Sequence, residues 1–270
     1  MMALHPRALA LTALAGIIFI QLSGSTPAHA ETPEEAGLAI ALEAERRDEG
    51  YAHYTADQTM VLKNRQGQES SRAISMKILE GSDDGDKSLI VFNNPRDVKG
   101  TALLTHSHKT ADDDQWLYLP ALKRVKRISS SNKAGSFMGS EFAYEDMTSQ
   151  EIEKYTYRFD REEPCGELTC FVVERFPTDK KSGYTRQISW TDTEHYRVWK
   201  VEFFDRKNAH QKTLTSSEYQ QYEGSYWRPG KMFMENHLSG KTTLLEWSNY
   251  DFGTPLRDNE FTKVGLKRAR

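Results

Sequence analysis

From Tyr54 to Tyr250 the chain repeats one device: a short run of alternating apolar and polar residues, then a turn signal. Met60 and Leu62 alternate ahead of Gln66-Gly67. Ile74, Met76 and Ile78 do so ahead of Gly81 to Gly85. Leu89 to Phe92 is closed by Asn94-Pro95, and Thr101 to His108 by Asp112-Asp113-Asp114. Trp116 to Leu119, Tyr155 to Phe159, Cys170 to Phe176, Tyr184 to Trp190 and Trp199 to Phe203 continue the series. Lys212 to Tyr222, Trp227 to Leu238 and Thr242 to Tyr250 complete it. A period of two places alternate side chains on opposite faces of a half-buried strand, so the series reads as about eleven or twelve strands. The connections are shorter than a parallel crossover requires, so the sheet is an antiparallel meander. No composition break and no long repeat divides it, and residues 31–270 read as a single, mainly β domain.

A sheet of this size must bury an apolar face and manage its edges. One helix is evident. Thr32-Pro33-Glu34-Glu35 supplies an N-cap, a proline at the first helical position and a glutamate three residues after the cap, and the helix should run to Asp48 and stop near Gly50. With so little helical mass as cover, the expected architecture is a strongly curved, unclosed half-barrel. The N-terminal helix and a central loop would cover its concave apolar face.

That loop lies in the stretch Gln115 to Met147. Between Ser129 and Ser140 it is too rich in Ser, Asn and Gly for a strand and too long for a hairpin turn. Phe137 and Met138 sit inside it, between Gly135 and Gly139. Two large apolar side chains in a polar loop have to pack somewhere. They are either a gate over the apolar face or a permanent plug. Alternation assigns the inward face to Ile74, Met76, Ile78, Leu117, Trp199, Val201, Phe203, Met232, Met234, Leu245 and Trp247, with Lys200 and Glu202 pointing the other way. These residues, with Phe137 and Met138, are the candidate lining of a hydrophobic cavity. Met and Trp together suit an adaptable apolar site, whereas each residue singly is also ordinary core.

The first thirty residues read as a cleaved signal peptide: Arg7, an apolar run from Ala8 to Ile20, and a small-x-small site at Ala28-His29-Ala30. Cleavage is expected after Ala30. Leu22-Ser23-Gly24 is followed by Ser25 rather than cysteine, so no lipid anchor is expected. Export to an oxidising compartment makes a Cys165–Cys170 disulfide at a hairpin tip the expected use of the two cysteines.

The chemistry of common active sites is missing. With 36 basic and 39 acidic residues the net charge is −3, which argues against a general nucleic-acid binder. There is no Gly-x-Ser-x-Gly elbow, P-loop or dinucleotide fingerprint. His106 and His108 share one side of a strand near Asp112 to Asp114. No third ligand stands at a telling spacing, so no metal, no cofactor and no catalytic residue is assigned. The run Asp83 to Asp86 lacks the spacing of a calcium loop and reads as a turn. Lys123, Arg124, Lys126 and Arg127 alternate around Val125. They read either as a solvated strand face or as a docking patch for anionic headgroups or an acidic partner.

Several segments together carry a family likeness: Asp114 to Leu122, Arg124-Val125-Lys126-Arg127-Ile128, Ser136-Phe137-Met138-Gly139-Ser140 and Tyr144-Glu145-Asp146-Met147. The chain resembles the bacterial outer membrane lipoprotein-sorting protein family of the LolA/LolB-like superfamily. The resemblance implies an unclosed, curved antiparallel sheet whose concave face is plugged by helices. It also implies periplasmic carriage of a lipid or acylated lipoprotein, with transient membrane contact and in some members an inner-membrane RND-type exporter as partner. The expected function is therefore a non-enzymatic lipid carrier. The alternative is an envelope-stress sensor that binds lipid or mislocalised protein and contacts a signalling partner. A hydrolase using His106 and His108 is the third reading.

Overall fold

The computed structural model describes residues 31–269. The signal-peptide expectation concerns residues 1–30 and lies outside them. From Glu31 onward the chain forms one compact unit. It opens with α1 (Pro33–Asp48), which begins as its sequence requires. Thr32 Oγ1 accepts from the Glu35 amide, and the Glu35 carboxylate accepts from the Thr32 amide at 2.8 Å. Gly37 is the helix's one buried residue. A side chain there would lie 2.7 Å from the backbone nitrogen of Phe159, so α1 packs on the following sheet by close backbone approach.

The strands are β1 (His53–Lys63), β2 (Glu69–Leu79), β3 (Lys87–Asn94), β4 (Ala102–His106), β5 (Asp114–Leu119) and β6 (Arg124–Ile128). After a long connection come β7 (Tyr155–Cys165), β8 (Leu168–Pro177), β9 (Tyr184–Asp192), β10 (Val198–Asp205), β11 (His210–Ser217), β12 (Gln220–Tyr222), β13 (Tyr226–Arg228), β14 (Lys231–Asn236) and β15 (Lys241–Asp251). The expected strand number was too low because two long runs are each broken, so that β12 and β13 form a separate hairpin between β11 and β14, and because the basic run β6 is a further strand.

The main sheet has 13 strands in the order β6-β5-β4-β3-β2-β1-β15-β14-β11-β10-β9-β8-β7, with every pair antiparallel. It consists of two meanders that run outward from a central seam, where the first strand pairs the last, Met60 opposite Leu245. The two free edges, β6 and β7, are therefore consecutive in sequence. The segment 129–154 that joins them has to cross the trough, and this topology is what turns a polar loop into a cover.

The convex side carries its own cover, which the periodicity of the strands did not reveal. Phe261 and Leu266, the latter in a short C-terminal helix α2 (Lys263–Arg268), are fully buried against Leu89, Val91, Ala102, Leu104 and Trp116. Cys165 and Cys170 form a disulfide at the β7–β8 tip. The loop it closes is short, so its stabilisation belongs at the low end of the usual ~2–4 kcal/mol.

Candidate functional site

The concave face is divided in two. In one half the crossing segment is built into the core. Phe137 is fully buried, with its ring centroid 5.8 Å from Phe92 and 5.7 Å from Tyr144. Ile74, Leu117, Val201, Phe203 and Met234 surround the same cluster, and Met138 packs at its margin. The backbone of Met138 is left-handed (φ 51°), and its carbonyl accepts from Arg72 Nη1 at 2.6 Å. Polar ties fix the segment to both meanders. Gln115 Nε2 donates to the Tyr144 carbonyl, the Glu141 amide donates to Thr243 Oγ1, and Lys212 Nζ donates to Asp146 Oδ2 at 2.6 Å.

The other half stays open as a cavity of about 1120 Å³, larger than the ~300–1,000 Å³ common for small-molecule sites. Met76, Ile78, Met232, Leu245 and Trp247 form its floor, Ile40, Ala41 and Ala44 of α1 one wall, and Phe142 and Met147 of the crossing segment its base. Of the residues assigned inward from sequence, five therefore line the open half, and the rest except Trp199 lie in or beside the plugged half. Ile90, Tyr54, Tyr250 and Gln58 also line the cavity and were not assigned to it. Ile90 is hidden in the continuous apolar run Leu89 to Phe92, which carries no alternation to read.

Trp199 departs from the expected parity. The register of β10 against β9 shifts between Val198 and Lys200, and this bulge turns Val198 toward the concave core and Trp199 to the other face. There Trp199 packs with Cys170, Val172 and Trp190, and its indole donates to Asp192 at 2.9 Å.

At the open end, Arg228 is buried under an aromatic cluster. Its guanidinium lies 5.2 Å from the ring centroids of both Tyr51 and Tyr54, and it pairs with Asp48 of α1. Tyr51 in turn donates to Asp86 Oδ2 at 2.6 Å. Nearby Glu151, 6% exposed, has its carboxyl pushed up to about 7, by burial first and by the Asp86 charge second, against the opposing pull of Lys154. Glu153 and Glu45 add in the same direction. A carboxyl raised above its ordinary value of 4.5 holds its proton more tightly in the folded state. Its contribution is therefore full below that value and is lost as pH rises through about 7. Glu151→Gln is expected to raise stability by about 2 kcal/mol near pH ~8 and to leave it unchanged near pH ~4. Urea unfolding at the two pH values measures the difference; equal effects would rule this out.

The two histidines do not converge. His106 Nε2 bonds the Phe261 carbonyl at 2.8 Å, and its ring meets Trp116 edge-on, tying the C-terminal segment down. His108 Nδ1 pairs with Asp84 at 2.6 Å. The basic cluster lies on the exposed edge strand β6 and, for Lys123, in the turn just before it. Arg127 pairs with Asp114, and Lys123, Arg124 and Lys126 face solvent. Cations on a free edge also discourage pairing with another chain.

Known proteins share this architecture. A family model described as "Uncharacterized protein" matches residues 84–268. A putative outer membrane lipoprotein-sorting protein domain from Vibrio parahaemolyticus is 55% identical, with a TM-score of 0.86 over 87% of this chain and all of that one. The chain belongs to the outer membrane lipoprotein-sorting protein family. A DUF1329 family protein from Desulfovibrio piger is 31% identical, with a TM-score of 0.83 over 87% of this chain and 99% of that one. The LolA superfamily protein NE2245 from Nitrosomonas europaea has the same fold at 20% identity, with a TM-score of 0.68 over 85% of this chain and 98% of that one. No curated protein matches the sequence. The block from Asp114 to Met147 that carried the lipoprotein-sorting likeness is thus β5, β6 and the first part of the crossing segment, the part of the fold that covers the trough. Among the described residues no helix is long and apolar enough to cross a membrane.

Proposed function

We propose that this member of the lipoprotein-sorting family is a periplasmic carrier that shelters acyl chains of a lipid or lipoprotein in the open half of its trough. The observation that supports this most directly is the unfilled floor of Met76, Ile78, Met232, Leu245 and Trp247, in a fold whose other half is plugged by its own loop. Burial of methylenes contributes about 0.8 kcal/mol each before ordering costs, enough to hold a long chain and still release it at a membrane. The remaining parts of the proposal are export with cleavage after Ala30, transient contact of Lys123, Arg124 and Lys126 with anionic headgroups, and an RND-type exporter as partner. The role is one of binding and release, without a reaction.

Mass spectrometry of the protein purified from the periplasm is expected to find co-purified acyl lipid. Ile78→Glu places a carboxylate on the cavity floor, where Ile78 is only half-buried. It is expected to weaken binding of a fluorescent fatty acid more than about tenfold, because burying an unpaired charge is costly, with little loss of melting temperature. Unchanged affinity in this variant, or lipid-free protein that binds no acyl probe, would overturn the carrier.

A further inference from the structure

Arg228 is a buried cation with an exposed counter-ion. Its side chain is 9% exposed, and it lines the cavity beside Tyr51, Tyr54 and Tyr226. Two other ion pairs among the described residues hold a cation about as buried, Arg197–Asp192 and Lys212–Asp146. In both the carboxylate is buried as well, at 0% and 9%. The partner of Arg228, Asp48, is 55% exposed. Asp48 is also the last residue of α1, the end of a helix where a carboxylate is disfavoured. A guanidinium taken out of water is thus balanced by an anion that stays largely in it. Burial of a charge is costly unless the pairing is good, so this pairing leaves Arg228 short of negative charge.

A guanidinium carries five N–H groups in a planar fork. Nη1 donates to Asp48 and, at 3.0 Å, to the Trp227 carbonyl. The N–H groups of Nε and Nη2 have no carboxylate or carbonyl acceptor among the described residues. The only side-chain nitrogens and oxygens there that are both sealed and unpartnered are those of Gln58, so an unpartnered N–H of Arg228 is one the cavity can reach. The fork matches two oxygens of a carboxylate or a phosphate. Tyr51, Tyr54, Tyr226 and Phe252, with ring centroids between 5.2 and 5.9 Å from the guanidinium carbon, keep water away and strengthen such a pair. The position suits a head group. Met232 of the floor is four residues further along the chain, at most about 14 Å away. An oxyanion on Arg228 therefore leaves its acyl chain over the apolar floor. Charge limits the group further. Asp86 lies beyond Tyr51, whose hydroxyl donates to it, and Glu151 lines the same cavity. A dianion meets more repulsion there than a group with one negative charge.

We propose that Arg228 receives the singly charged oxyanion of a lipid, a carboxylate or a phosphodiester, so that the cargo is an amphiphile with such a head rather than a neutral acylglycerol. This rests on the carrier reading and names its substrate class. The test is calorimetric titration of the delipidated protein with three probes that share a myristoyl chain: monomyristoylglycerol, myristic acid and myristoyl-lysophosphatidylglycerol. It is run near pH ~8, where the fatty acid is ionised. Wild type is expected to bind the carboxylate or the phosphodiester about tenfold tighter than the neutral glyceride, the scale of a hydrogen bond to a charged group. Which of the two wins identifies the source of the oxyanion. Arg228→Met should bring the anionic probes down to the affinity of the glyceride. Asp48→Asn, a change at an exposed site, removes the competing carboxylate and should tighten the anionic probes severalfold relative to the glyceride, which a purely structural ion pair would not do. If wild type holds all three probes equally, the role of Arg228 is overturned and the carrier stands. An anionic preference that survives Arg228→Met, or that Asp48→Asn leaves unchanged, overturns Arg228 as its source. If no probe binds wild type, the carrier reading fails and this inference fails with it.

Discussion

Phe137→Ala is expected to destabilise the protein by about 3–5 kcal/mol. The ring is fully buried between Phe92 and Tyr144. Around it the chain is tied to strands from both meanders, by Gln115 and Arg72 on one side and by Lys212 and Thr243 on the other. Such a site cannot collapse to fill the lost volume, because the surrounding strands are held in register by their own ladders. For a domain of this size each kilocalorie is worth roughly 2–4 °C, so the melting temperature should fall by about 10 °C. The same measurement separates a plug from a gate. A gate would leave stability nearly intact and change the rate of acyl exchange; a plug would do the reverse. The burial of Phe137 and the polar ties on either side support the plug. A melting temperature within about 2 °C of wild type would overturn it.

Lys212→Met is expected to cost about 3–5 kcal/mol for a different reason. The Lys212 side chain is 3% exposed and Asp146 is 9% exposed. The ammonium donates to Asp146 Oδ2 at 2.6 Å and to the Glu141 carbonyl at 3.0 Å, joining β11 to the crossing segment. Removing it leaves a buried carboxylate with only the Tyr184 hydroxyl and the Ala143 amide to balance it. Most of the cost is that uncompensated charge, not the net worth of the pair. The double variant Lys212→Met, Asp146→Asn should therefore be more stable than Lys212→Met alone. A double-mutant cycle by urea unfolding reads this directly. Additive losses would show that the two side chains act separately.

Much of the molecule was legible without coordinates because its causes are local. Thr32, Pro33 and Glu35 specify the start of α1 through groups within one turn of each other. Alternation of apolar and polar residues specifies strands wherever one face is buried and the other wet. This is why Ile74, Met76, Ile78, Met232, Leu245 and Trp247 could be assigned to one face, where they lie in the core cluster or the cavity lining. The expectation of export, with a short polar spacer, pointed to the Cys165–Cys170 bridge. The lipoprotein-sorting likeness was carried by a contiguous block, and a contiguous block is what a sequence displays well.

The features that depend on distant contacts were decided only by the tertiary structure. One residue of bulge in β10 reversed the facing of Trp199, since a period of two has no tolerance for an insertion. Nothing in β1 or β15 alone says that they pair. That pairing makes β6 and β7 the edges, and so forces the segment between them across the trough. Once Phe137 occupies one half of the concave face, the inner residues separate into core and cavity floor, a distinction their alternation cannot contain. Gln58 reads in sequence as one polar residue in a strand. Only the fold shows that it faces inward with neither amide atom paired, because a hydrogen-bond partner is a property of position in space.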